Sequence, residues 1–171
     1  MDIKTIQSLK ENISKIETSH RSVVISKIAN KYYKEVPKSD EKLLEFCEQL
    51  IAASNMDLFS IATLWIKKRK TIIDKKYFST IENWLFKYIH HWGTCDQFCY
   101  RVLNPFVDKY PELFSNILTW IKSENTYVRR AAPVSLIRCG TGIRVKYDLD
   151  KILIVVESLK DDSHPHIQKA I

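Results

Sequence analysis

Glycine is nearly absent from this chain, with three in 171 residues. A β-sandwich or a doubly wound α/β fold needs glycine in tight turns and phosphate loops, so its scarcity favours an all-helical protein over both, and no Gly-rich nucleotide loop can be written. Cysteine is sparse too. Cys47, Cys95, Cys99 and Cys139 include no Cys-x-x-Cys pair, and each falls in an apolar helical pattern. They read as reduced, small core residues rather than a disulfide framework. No uncharged apolar run approaches the length of a bilayer span, and the start, MDIKTIQSLKEN, is a charged amphipathic pattern and not a signal peptide. A cytoplasmic, intracellular protein is expected.

What the chain does have is apolar residues, 45% of the total, at helical spacing almost throughout. The spacing predicts helices over 3–17, 20–34, 39–53, 56–69, 74–90, 94–109, 111–122, 126–139, 149–160 and from 164 onward. Connections are a few polar residues, except for GTGIRVKYD at 140–148, which opens on a helix-stopping Gly140. An internal echo points to an array. DLFSIATLWIKK at 57–68 aligns with ELFSNILTWIKS at 112–123, and Phe78, Ser79 and Trp84 repeat the FS-x4-W frame. The frame recurs at offsets of one and two helix-plus-turn units, as when helix pairs stack and bury their faces against neighbours. The expected fold is all-α: an α-solenoid, or superhelix, of HEAT-like antiparallel helical hairpins forming a single domain over 1–171. A compact orthogonal bundle is the alternative.

Lysine and arginine outnumber aspartate and glutamate by 27 to 20, a formal charge of +7 and a pI near 9.2, which suits a polyanionic partner. Acidic substrates and membrane surfaces stay open. Two features have plain structural explanations. Trp65, Trp84 and Trp120 sit in helix interiors and read as core. KKRK at 67–70 ends a helix, where cations complement the macrodipole, so it reads as a solvated helix end before a nucleic-acid contact.

HHWGTCDQFC at 90–99 gathers two histidines, two cysteines, an aspartate and a tryptophan. A metal site fits poorly: His90 and His91 diverge on a helix, and Cys95 and Cys99 belong to the stripe Cys95, Phe98, Cys99, Val102, Leu103, Phe106, Val107, Tyr110 that faces the core. A helix start fits better. Thr94-Cys95-Asp96-Gln97 has the capping-box form, with Gly93 breaking the chain before it. Asp96 is then expected in the first turn, where free amides favour a carboxylate. Acids are common there for helix stability alone, so a structural role stays open. A second boundary, SENTYVRRAAPVSLI at 123–137, adds to the picture. Ser123, Asn125 or Thr126 can cap this helix, which puts Arg129 and Arg130 early in it, where cations are mildly disfavoured. They are either solvated or faced by an anion, a phosphate or a carboxylate such as Asp96. His164, Pro165 and His166 read as a helix entry.

Trp92-x3-Asp96 opening a helix, then Trp120-x-x-Ser123, then Asn125-x-Tyr127-x-x-Arg130-x-Ala132, resembles the AlkD-like DNA alkylation repair family of HEAT-like DNA glycosylases. Order and spacing hold across about 50 residues, and HPHIQKAI is similar to the family's next helix start. The resemblance implies release of N3- or N7-alkylated purines, such as 3-methyladenine and 7-methylguanine, from double-stranded DNA by hydrolysis of the glycosidic bond. It implies no metal and no cofactor. It makes Asp96 the catalytic carboxylate, Trp92 an aromatic wall, and Arg130 the holder of the phosphate backbone; Arg129 and Tyr127, beside it on the same helix start, are further candidate DNA-binding positions. The chain departs from the pattern in two ways: Tyr127 replaces a frequent tryptophan, and Pro133 falls inside the second helix, where a kink is expected. It also ends where the family continues with another aromatic wall and about two helical pairs, so the expectation is either a form truncated at the carboxyl end or a naturally shorter, inactive one; a monomer is expected in both cases. A noncatalytic HEAT-like module that binds DNA or protein is the alternative function.

Overall fold

The computed structural model describes residues 3–17, 19–137 and 148–171. Among these residues all regular structure is helical. The α-helices are α1 Ile3–Ser14, α2 Arg21–Tyr32, α3 Asp40–Ala52, α4 Met56–Lys68, α5 Phe78–Tyr88, α6 Trp92–Phe98, α7 Asn104–Lys109, α8 Phe114–Trp120, α9 Thr126–Val134, α10 Leu149–Leu159 and α11 Pro165–Gln168. Short 3-10 turns lead into α5 and α8 and end α2. The apolar periodicity therefore located each element to within a few residues. Cys139, Gly140 and the connection as far as residue 147 lie outside the described residues. No described helix is long and apolar enough to cross a membrane.

The chain divides into two compact units, Met1–Ile72 and Ile73–Ile171. In the first, α4 packs against α3, α2 and α1. It is tied to α2 by a buried bond, Trp65 Nε1 donating to the Ala29 carbonyl at 2.7 Å, and by an exposed ion pair, Arg21 with Asp57 at 2.6 Å. Between α3 and α4 the backbone turns through a left-handed residue, and with so few glycines the position is filled by Ser54, φ 51°, at a cost of roughly 1 kcal/mol. KKRK is divided in its roles. Arg69 pairs with Asp40 at 3.0 Å and bonds the Pro37 and Lys38 carbonyls, Lys68 lies over the Tyr33 ring, and Lys67 and Lys70 are exposed.

In the second unit α9 is central, packed against α6, α8, α10 and α11. Trp120 Nε1 donates to Glu82 Oε1 at 2.8 Å, tying α8 to α5. Trp65, Trp84 and Trp120 are all fully buried. Bonds between successive hairpins recur at nearly constant separation. Ala29 with Trp65, Ile73 with Lys109, Ile89 with Asn125 and Arg130 with His166 are each 36 residues apart. The same 36 residues separate the FS-x4-W frames that begin at Phe78 and Phe114, since stacked hairpins repeat their cross-contacts once per repeat.

The segment read as one helix over 94–109 is three pieces. A π-helical turn, Cys99–Leu103, joins α6 to α7, with the Asn104 amide bonding the Cys99 carbonyl. Pro105 explains it: proline has no N–H and its ring crowds the carbonyl four residues back, and the wider turn removes that conflict. The apolar stripe runs on regardless, so periodicity alone could not reveal it.

Candidate active site

The first turn of α6 departs from the sequence reading. The N-cap is His91, not Thr94: His91 Nδ1 accepts from the Gly93 amide at 3.0 Å, and the Thr94 hydroxyl donates back to the His91 carbonyl at 2.9 Å. Gly93 is inside the helix rather than breaking it. The Thr94–Gln97 capping box is absent, and Gln97 Oε1 instead accepts from Arg101 at 2.8 Å. With α6 beginning at Trp92, Asp96 stands in the second turn, where its own amide is used within the helix. The helix-end argument for its charge is thereby replaced by a different one.

That one is Arg130. Its Nε donates to Asp96 Oδ1 at 2.8 Å and its Nη2 to Asp96 Oδ2 at 2.9 Å, the two parallel bonds that a guanidinium makes with a carboxylate. The third corner, Nη1, donates to the His166 carbonyl. One buried arginine, 8% exposed, thus joins α6, α9 and α11. The hydrogen bond to Asp96, more than the opposing loss of hydration, raises the Arg130 pKa above its usual value. Pro133 lies in the last turn of α9 and does not keep Arg130 from Asp96. Asn125 is the cap of α9, accepting from the Tyr127 amide at 2.9 Å.

Trp92 precedes Asp96 by four residues on the same helix, so the two share a face. The indole is 47% exposed, unlike the other three tryptophans, and its ring lies 5.3 Å from that of His91. Tyr127 lines the same region: its ring is 6.0 Å from His166, which is 5.4 Å from His164. Arg129 diverges from Arg130. It pairs with Asp162 at 2.8 Å and caps the Ser123 and Glu124 carbonyls. Trp92, Asp96, Tyr127 and Arg130 are therefore gathered in one region, and Arg129 is engaged on the loop before α11.

The chain matches the family model described as DNA alkylation repair enzyme over residues 20–171. It belongs to that family. Among curated proteins nothing matches the chain. A member of this family acts in the repair of alkylated DNA, so DNA is its partner.

In this repair-family protein the sequence gives the histidines no part in the site: His90 and His91 read as poor metal ligands, and His164 and His166 as a helix entry. His164 is a helix entry, as read, its Nδ1 accepting from the His166 amide at 3.2 Å. The signal that would have singled it out is that His91 and His164 occupy the same N-cap position two repeats apart. His166 could not have been found, because its contribution to the Arg130 clamp is a backbone carbonyl. Desolvation lowers the His166 pKa, helped by His164, Arg130, Lys169 and His91. A base whose folded pKa is depressed stabilises the fold above its ordinary value of 6.5 and loses that contribution as pH falls through the folded value. Thermal melts from pH 7.5 to 5 are expected to show Tm falling on the acid side, more shallowly for His166→Gln.

Among the described residues no group of three or more His, Cys, Asp or Glu side chains could hold a metal ion. Cys95 and Cys99 are fully buried in the stripe facing α9, donating weakly to the Tyr127 and Ala131 carbonyls. Burial pushes the Cys47 thiol well above the usual range and, with Cys95 beside it, pushes Cys99 up as well. Thiolate is the reactive form, so native protein is expected to leave Cys47 and Cys99 unlabelled by a thiol reagent at pH 7.5. Label found on either by peptide mass spectrometry before unfolding would contradict this.

Proposed function

We propose that this protein removes N3- or N7-alkylated purines from duplex DNA by hydrolysing the N-glycosidic bond. The observation that carries the reading is the Asp96 carboxylate, held in both directions by Arg130 and beside an exposed indole. An alkylated purine of this kind is already cationic and leaves readily. The C1′–N bond breaks with its electron pair passing to the base, which departs neutral. Water then adds to C1′ and releases a proton. What the reaction asks of the protein is stabilisation of an oxocarbenium-like sugar and a place for the water. A carboxylate fixed in position supplies the first without reorganising. The Trp92 face attracts the cationic base or sugar. Arg130, occupied by Asp96 and His166, acts here as a positioning residue. The phosphate-holding role implied for it by resemblance would need that clamp to open.

A second reading rests on the same clamp. Both Asp96 oxygens are used by Arg130, as they would be in a module that binds DNA without chemistry. Incubation with methylated duplex DNA followed by chromatography of the released bases separates the two. A glycosylase liberates 3-methyladenine or 7-methylguanine at a rate proportional to enzyme; a binding module shifts the duplex in a gel and liberates neither.

A further inference from the structure

The caps of four helices fall at one position of the repeat: Asn55 for α4, His91 for α6, Asn125 for α9 and His164 for α11. Asn55 and Asn125 cap through Oδ1, and His91 and His164 do the same through Nδ1. Asparagine is among the best N-caps and histidine is not, so capping alone does not account for imidazole at two of the four. What imidazole adds is a second nitrogen. With Nδ1 accepting from a backbone amide, the proton of the neutral ring is on Nε2, which becomes a donor. In both residues Nε2 has no partner among the described residues, whereas Nε2 of neighbouring His90 is bonded to the Lys87 carbonyl.

The two rings border the Asp96 clamp. His91 is against Trp92, and His164 is against His166, whose carbonyl holds Arg130. The two arginines singled out as DNA-binding candidates are already engaged: Arg130 is buried on Asp96, and Arg129 is bonded to Asp162. A DNA backbone lying on the Trp92 face presents phosphate oxygens, which accept hydrogen bonds whatever the sequence.

We propose that His91 and His164 are the phosphate-positioning residues of this face, each donating from Nε2 to a backbone phosphate oxygen near the damaged nucleotide. The inference rests on the reading above for its partner, a DNA backbone, and leaves the bond-breaking step to Asp96. The two caps made by asparagine provide the test. His91→Asn and His164→Asn keep an N-cap of the kind the protein already uses and delete the outward donor. The double variant is expected to melt within a few degrees of the parent protein. Its affinity for a fluorescein-labelled duplex containing an abasic-site analogue, measured by anisotropy, is expected to fall by roughly tenfold, the scale of two lost hydrogen bonds. His90→Asn is expected to leave the affinity unchanged.

Unaltered affinity in the folded double variant would overturn the proposal. Should that variant fold poorly, 15N spectra of the unsubstituted protein decide the matter: the Nε2 signals of His91 and His164 are expected to shift when the duplex is added, and their failure to do so would likewise overturn it. The two readings fail separately. Base release abolished by Asp96→Asn with histidine variants binding normally removes this proposal alone. Histidine-dependent binding with no base release removes the glycosylase and keeps the phosphate contacts.

Discussion

Release of 3-methyladenine from methylated duplex by Asp96→Asn is expected to fall about 100- to 1000-fold, the range found when one preorganised electrostatic group is removed from a transition-state site. The substitution is nearly isosteric. The introduced amide still offers one oxygen to Arg130, and Arg130 keeps the His166 carbonyl, so the three-helix junction persists. What disappears is the full negative charge facing the sugar. The lesion is a good leaving group on its own, so most of the catalysis needed is charge stabilisation, and the effect should appear in single-turnover rate rather than in DNA affinity. Unchanged release, with folding intact by circular dichroism, would remove Asp96 from the mechanism and favour the binding-module reading.

Arg130→Met is expected to cost about 3 kcal/mol of stability, lowering Tm by roughly 6–12 °C for a chain of this size. Methionine fills the volume of the arginine stem but satisfies none of its partners. Asp96, with a side chain 20% exposed, is left as a half-buried carboxylate without its cation, and the His166 carbonyl loses a donor. Leaving one member of such a pair uncompensated is much more costly than the pair itself is worth, which is why the single variant is severe. Coupling is the check on this account. In the double variant Asp96→Asn, Arg130→Met the stranded charge is gone, so Tm should recover part of the loss. Equal losses in the single and double variants, read by differential scanning calorimetry, would contradict the clamp.

Much of this architecture was legible from residue order. Apolar spacing placed α3, α4 and α10 to within a residue or two, because a helix that must bury one face writes its period into the chain. The FS-x4-W frame carried the repeat, since stacked hairpins need an aromatic at the same depth each time. Trp92, Asp96 and Arg130 were singled out by motif and are gathered in the folded unit. The start of α6 was not readable: His91 and Thr94 can each cap, and which one does depends on where the preceding chain delivers the backbone. The π turn before Pro105 was also hidden, as Cys99, Val102, Leu103 and Phe106 keep helical spacing through it.

Fold class, repeat length and the candidate residues are all written in residue order, because each of these is a local preference repeated along the chain. Which arginine meets which acid is not. Arg130 clamps Asp96 while Arg129 turns to Asp162, and a carbonyl of His166 completes the clamp, only in the packed molecule. Adjacent arginines look alike in a sequence. Their partners lie more than thirty residues away on other elements, and only packing brings those elements close enough for a charge to find its counterpart.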